Sequence, residues 1–191
     1  VPDRVPVDLG AMRSTGITAL AYRRLKEHLG IAEGDIYVYD ISQQLAVVEP
    51  PILDLFGLDV VTLDLDQLRG WQSYTLPDGH PACIVADFIA ETAPDGSVYQ
   101  LEDGRRVRYR SPSSQYFYRI YHPLADVTIP ADPSAIALEL PLRLSSEQGS
   151  RQASGRSSEC SSPWIYTDEE LTLLRDRARY LYENSDYAIM G

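Results

Sequence analysis

Tyr187-Ala188-Ile189-Met190, just before the closing Gly191, reads as a short extended run placed directly after a helix. The helix is well marked. Thr167-Asp168-Glu169-Glu170 is a capping box: the Thr167 hydroxyl accepts from the Glu170 backbone N–H, and the Glu170 carboxylate reaches back. Leu171, Leu174, Ala178 and Leu181 repeat at helical spacing, and Asn184-Ser185-Asp186 ends the run. A helix followed by a buried strand is the unit of parallel sheets. Such a strand needs neighbours and a covering layer. One glycine follows it here, and the chain opens at Val1 without a methionine. We therefore expect missing residues or a second chain to supply the remainder.

Working outward, the first 65 residues alternate in the same way. Residues 5–9 suit a short first strand. A helix follows from Thr18, with Tyr22, Leu25 and Leu29 on one stripe that Ala21 widens, and Gly30 closes it. Ile36-Tyr37-Val38-Tyr39 is the second strand. Ser42 is placed to cap a helix over residues 43–49, while Pro50-Pro51 breaks that helix or opens a second one through Leu55. Val60-Val61-Thr62-Leu63 is the third strand. The pattern predicts parallel βα units. Residues 71–110 break it: Pro77-Asp78-Gly79, Pro94-Asp95-Gly96 and Glu102-Asp103-Gly104 are turn signals between strand-like runs, as in an antiparallel β insertion. Residues 145–163, rich in serine, glycine and arginine without large apolar side chains, predict a flexible loop.

The 191 residues include 17 basic and 28 acidic side chains, for a net charge of −11. That balance argues against broad contact with nucleic acid or an anionic membrane. No apolar run is long enough to span a bilayer, and Cys83 and Cys160 do not suggest a disulfide framework. A cytoplasmic setting is the expectation.

No glycine-rich phosphate loop, CxxC or histidine pair at metal-ligand spacing is present. Cys83 reads as a buried strand residue. His28 sits near a helix C-terminus, His80 in a turn, and His122 before a proline after the aromatic run Tyr116-Phe117-Tyr118. In parallel sheets, residues beyond the C-terminal strand ends face the ligand. Arg13 follows the first strand and can pair bidentately with a carboxylate, or be a solvated loop residue. Asp64 and Asp66 follow the third strand on one side of it. They suit a cation, the N–H groups of a substrate or a shared proton, although a capping role for Asp66 reads equally well. Asp40 after the second strand is placed equivalently.

These loops carry a pattern. Val5-Pro6-Val7-Asp8-Leu9-Gly10-Ala11-Met12-Arg13-Ser14-Thr15-Gly16-Ile17 resembles the opening of the uroporphyrinogen decarboxylase superfamily, which includes corrinoid-linked methyltransferases. Leu53-Asp54-Leu55-Phe56-Gly57-Leu58-Asp59-Val60-Val61 resembles its second block. His122-Pro123-Leu124-Ala125 and Asn184 through Gly191 are similar to its decarboxylase-like members. The resemblance implies an α/β fold in which residues 1–191 form the N-terminal part of a (β/α)8 TIM barrel, completed by missing residues or a second chain. It implies substrate binding by Arg13, Asp64 and Thr15, with Asp66 as the catalytic carboxylate that receives pyrrole N–H groups. Met12, Arg13 and Gly16 match the decarboxylases' arginine segment, but Ile17 stands where their second arginine lies and Thr18 where their tyrosine lies. A polycarboxylate substrate is therefore poorly matched, and the methyltransferase branch is the better analogy. The alternatives are a tetrapyrrole decarboxylase, with Arg69 as a replacement cation, and a non-catalytic split or truncated subunit. The resemblance implies no cofactor held by this chain, but zinc and a corrinoid protein engaged through a C-terminal half. A homo-oligomer is a further expected assembly.

Overall fold

The computed structural model describes residues 4–120 and 166–191. The predicted loop at 145–163, Cys160, and the segment 121–125 with His122 lie outside the described residues. Thr18 starts helix α1 (Ala19–Leu29), its hydroxyl accepting from the Ala21 N–H. Gly30 ends it in the left-handed conformation at φ 70°. The face that α1 buries is Ala19, Tyr22 and Lys26, whereas Ala21 is exposed.

Strand β1 (Tyr37–Asp40) runs into a tight turn instead of the helix expected at 43–49. The Asp40 carboxylate accepts the Gln43 N–H at 2.6 Å, and Gln44 takes a φ of 55°. The chain then returns as β2 (Leu45–Ala46), antiparallel to β1. A local side-chain bond to the backbone thus outcompetes the helix. Helix α2 (Pro50–Phe56) places both prolines in its first turn, where a missing N–H costs nothing, and β3 (Val60–Thr62) follows. Residues 5–9 form no strand. Val5 is exposed, and this segment is held against the start of β3 by Asp59, whose carboxylate accepts the Val7 N–H at 2.7 Å.

A barrel would set β3 beside β1. Instead β4 (Trp71–Thr75) and β5 (Pro81–Val85) form a hairpin through Pro77-Asp78-Gly79, and β5 takes the free edge of β1 in parallel register, Val38 opposite Ile84. The central sheet has the order β2-β1-β5-β4. Strand β3 pairs in parallel with β10 (Ala188–Met190), which follows helix α3 (Asp168–Asn184). A third sheet is an antiparallel meander of β6 (Ile89–Thr92), β7 (Val98–Glu102), β8 (Arg105–Arg110) and β9 (Tyr118–Arg119). Five of the seven described strand pairings are antiparallel, with three α-helices among the described residues. The expected partial (β/α)8 TIM barrel is therefore incorrect. The hairpin's β5 occupies the edge of β1 that β3 would need, and β3 pairs with β10 instead. The closing strand does find a neighbour, but all three of its residues are exposed. No described helix is long and apolar enough to cross a membrane.

Tyr22, Val38, Ala46, Ile52 and Ile84 are the centre of the core, between α1, α2 and the central sheet. Tyr74, Phe88 and Phe117 extend it toward the meander in two edge-to-face contacts of 5.8 and 5.7 Å. Lys26, the chain's one lysine, is buried inside this core. Its ammonium donates to the Glu49 carboxylate and, at 3.2 Å, to the Gly34 carbonyl, while the Tyr22 hydroxyl also donates to Glu49. Burial and the adjacent Glu49 push the Tyr22 phenol well above its ordinary range, so it serves as a neutral donor. Removing one partner of a buried pair strands the other charge. Lys26→Met is expected to lower unfolding free energy by about 2–4 kcal/mol in urea titration. In the native wild type, an amine-directed acylating reagent should leave Lys26 unlabelled until denaturant is added.

Candidate functional site

The site begins with a loop that only glycine accommodates. Gly10 has a φ of 88°, and a Cβ there would lie 2.9 Å from Val48 Cγ2. Its N–H reaches the Thr15 carbonyl at 3.1 Å. Asp8 ties off the loop by accepting the Ala11 N–H and the Thr15 hydroxyl, the latter at 2.7 Å. Thr15, expected to touch substrate, thus uses its hydroxyl within the loop. The loop presents Arg13 from a 3-10 turn, Arg13–Thr15, toward the ends of β1 and β3.

Three carboxylates converge on Arg13. Its Nη2 lies 2.6 Å from Asp66 and 3.3 Å from Asp64, and its Nε lies 3.2 Å from Asp40. The four residues come from positions 13, 40, 64 and 66, and the contacts join strand ends that sequence reading had placed equivalently. Asp64 also caps the 3-10 turn Leu65–Leu68, accepting the Asp66 N–H at 2.9 Å. The capping role thus falls to Asp64, leaving both Asp66 oxygens for side-chain partners. One faces Arg13; the other faces Arg69 at 3.4 Å.

Glu170 and Tyr39 join the site in roles that their sequence setting did not show. Glu170 was legible as a capping-box member. Its Oε2 accepts the Thr167 N–H at 2.9 Å, while its Oε1 holds Arg69 Nη2 at 2.6 Å across 101 residues of chain. Arg69 therefore links the cluster to α3. Tyr39 precedes Asp40 on β1 and is buried. Burial, followed by the nearby Asp64 charge, pushes its phenol up to about 12 despite Arg13. Neither role shows in spacing, because both depend on chain segments far apart in sequence.

The electrostatics are uneven. Among the described residues, two guanidinium groups face four carboxylates: Asp40, Asp64, Asp66 and Glu170. Burial acts against the Arg13 charge, but Asp64, Asp66 and Asp40 outweigh it and hold its pKa above the ordinary value. Asp66 is raised above its ordinary value by burial first and by Asp64 second, which together exceed the opposing pull of Arg13 and Arg69. Among the described residues the cluster thus holds more carboxylates than guanidinium groups. It suits N–H donors or a cation and repels anions.

Other sequence candidates stand apart. Cys83 lies on β5 and is half-buried rather than fully buried, with burial raising its thiol. His28 is exposed, and His80 sits in its turn with Nδ1 3.3 Å from Asp78. Zinc does not fit the site. Arg13 already occupies the converging carboxylates, and no group of three or more His, Cys, Asp or Glu among the described residues is disposed to hold a metal ion.

No protein-family model, curated protein or solved structure matches the chain.

Asp66 gives the site a pH signature. Its native pKa is raised, so between the ordinary carboxylate value and the raised one the native state binds more protons than the unfolded state. Stability contributed by this residue therefore falls as pH rises through that window. Asp66→Asn should flatten that part of the profile, measured by urea unfolding at a series of pH values between 4 and 7.

Proposed function

We propose that the chain carries the ligand site of a methyl-transferring protein related to the uroporphyrinogen decarboxylase superfamily, and that the site takes a substrate rich in N–H groups or positive charge. The observation that carries this reading is the contact between Arg13 and Asp66. The opening block that resembles the family supplies Arg13, and the second block with the residues after it leads to Asp66. These two positions, 53 residues apart, are 2.6 Å apart in space. Asp66 receives the substrate's N–H groups, with Asp64 beside it keeping the carboxylate pair negative. Arg13 orients both, and Arg69 steadies the far oxygen of Asp66. Burial and the neighbouring Asp64 let Asp66 keep a proton to a higher pH than an ordinary carboxylate.

Methyl transfer is preferred to tetrapyrrole decarboxylation on one ground. Three carboxylates already neutralise Arg13, and Ile17, at the second arginine position, is packed against the hydrophobic core. A substrate with many carboxylates therefore finds little positive charge. In the methyltransferase branch, zinc activates a thiol and a corrinoid protein carries the methyl group. The residues described here hold neither, and their part is to bind and orient the substrate.

Calorimetric titration with dimethylammonium and with butanetetracarboxylate at matched ionic strength tests this reading. The amine is expected to bind and the tetracarboxylate to give no saturable heat. Asp66→Asn should weaken the amine about tenfold, the loss of one charge-assisted contact worth about 1.4 kcal/mol. Preferential binding of the tetracarboxylate, with Asp66→Asn indifferent to the amine, would overturn the reading.

A further inference from the structure

Helix α3 (Asp168–Asn184) turns one stripe toward the rest of the described chain. Glu170, Leu174, Ala178 and Leu181 lie on it and are buried or half-buried. A second stripe carries Glu169, Leu173, Asp176, Arg177, Tyr180 and Asn184, and all six are exposed. Its middle four residues fall at i, i+3, i+4 and i+7, the spacing of one helix face. Leu173 and Tyr180 leave 44% and 57% of their surface to solvent, an unusual use of two large apolar side chains on one stripe. Asp176 and Arg177 sit between them. The Arg177 guanidinium lies 5.4 Å from the Tyr180 ring, and neither charge has an ion-pair partner among the described residues.

The order of these residues is self-complementary. Two copies of the helix can lie antiparallel with a two-fold axis between positions 176 and 177. Leu173 then comes level with the partner's Tyr180, Asp176 with the partner's Arg177 and Glu169 with the partner's Asn184, and the symmetry makes each match twice. Apolar surface meets apolar surface, and each unpaired charge meets its opposite. The stripe on the other flank, with Leu171 and Tyr182, lacks this property. Arg175 and Arg179 lie along it, and a two-fold there would crowd the arginines of the two copies together. We propose that the Leu173–Tyr180 stripe of α3 is the contact surface for a second copy of this chain, in an antiparallel, two-fold helix pair. A helix of 17 residues is about 25 Å long, so the surface is small and the dimer forms and dissociates with concentration.

Sedimentation equilibrium of the full chain at physiological ionic strength, over a wide concentration range, tests this surface. The mass is expected to rise from 21.4 kDa toward twice that value. Leu173→Gln with Tyr180→Gln, both at exposed helix positions, should leave the helical circular dichroism unchanged and abolish the rise. Asp176→Arg and Arg177→Asp each set like charges together twice, and each should weaken self-association about tenfold. Mixed with one another, these two single variants should form a heterodimer, because every charge then meets its opposite. Leu171→Gln, on the other flank, should change nothing. A chain that stays monomeric at the highest concentration overturns the proposal. So does a dimer that the Leu173 and Tyr180 changes leave intact, which would place the contact on another face, or a pair of charge variants that do not rescue each other.

Discussion

Strand β1 is paired on both edges, antiparallel to β2 and parallel to β5, and the rest of the arrangement follows from that constraint. A strand can be buried on both faces only when all its backbone groups find partners, and here Val38 and Tyr39 are buried because the two edges are closed. Because β5 holds the parallel edge, β3 is left to pair with β10 instead. The charged residues at the ends of β1 and β3 nevertheless meet, since the Arg13 loop spans the gap between the two sheets.

The two ion-pair systems next to this sheet have different consequences. Lys26, Glu49 and Tyr22 form a closed, buried set whose members satisfy one another, joining α1 to the start of α2. Such a set holds geometry and leaves little for a ligand. The Arg13 set is open and half-exposed and has more carboxylates than guanidinium groups. An open set with surplus charge is one whose balance a bound molecule can change. The contrast between these clusters, rather than the presence of charge, is what singles out Arg13 and Asp66.

Much of the local structure was legible in the sequence. The α1 caps at Thr18 and Gly30, the capping box at Thr167 and Glu170, and the turns at Asp78-Gly79, Asp95-Gly96 and Asp103-Gly104 all depend on contacts within a few residues. The helix predicted at 43–49 shows where this kind of reading fails. Ser42 is a reasonable cap, but the Asp40 carboxylate reaches the Gln43 N–H first and turns the chain back. At the site, the charged residues after β1 and β3 were visible as candidates. The Thr15 hydroxyl donates to Asp8, a bond between loop residues seven apart.

The sequence by itself determined the caps of α1 and α3, the hairpin turns, the excess of acidic charge and the candidate positions Arg13, Asp40, Asp64 and Asp66, because each follows from residue chemistry and short-range spacing. Only the tertiary structure decided which strand lies beside β1, that Lys26 faces inward, and that Glu170 reaches Arg69 across 101 residues. Strand edges of similar composition compete for the same partner, and here the edge of β1 goes to β5, which lies farther along the chain than β3. No periodicity along the chain records that competition.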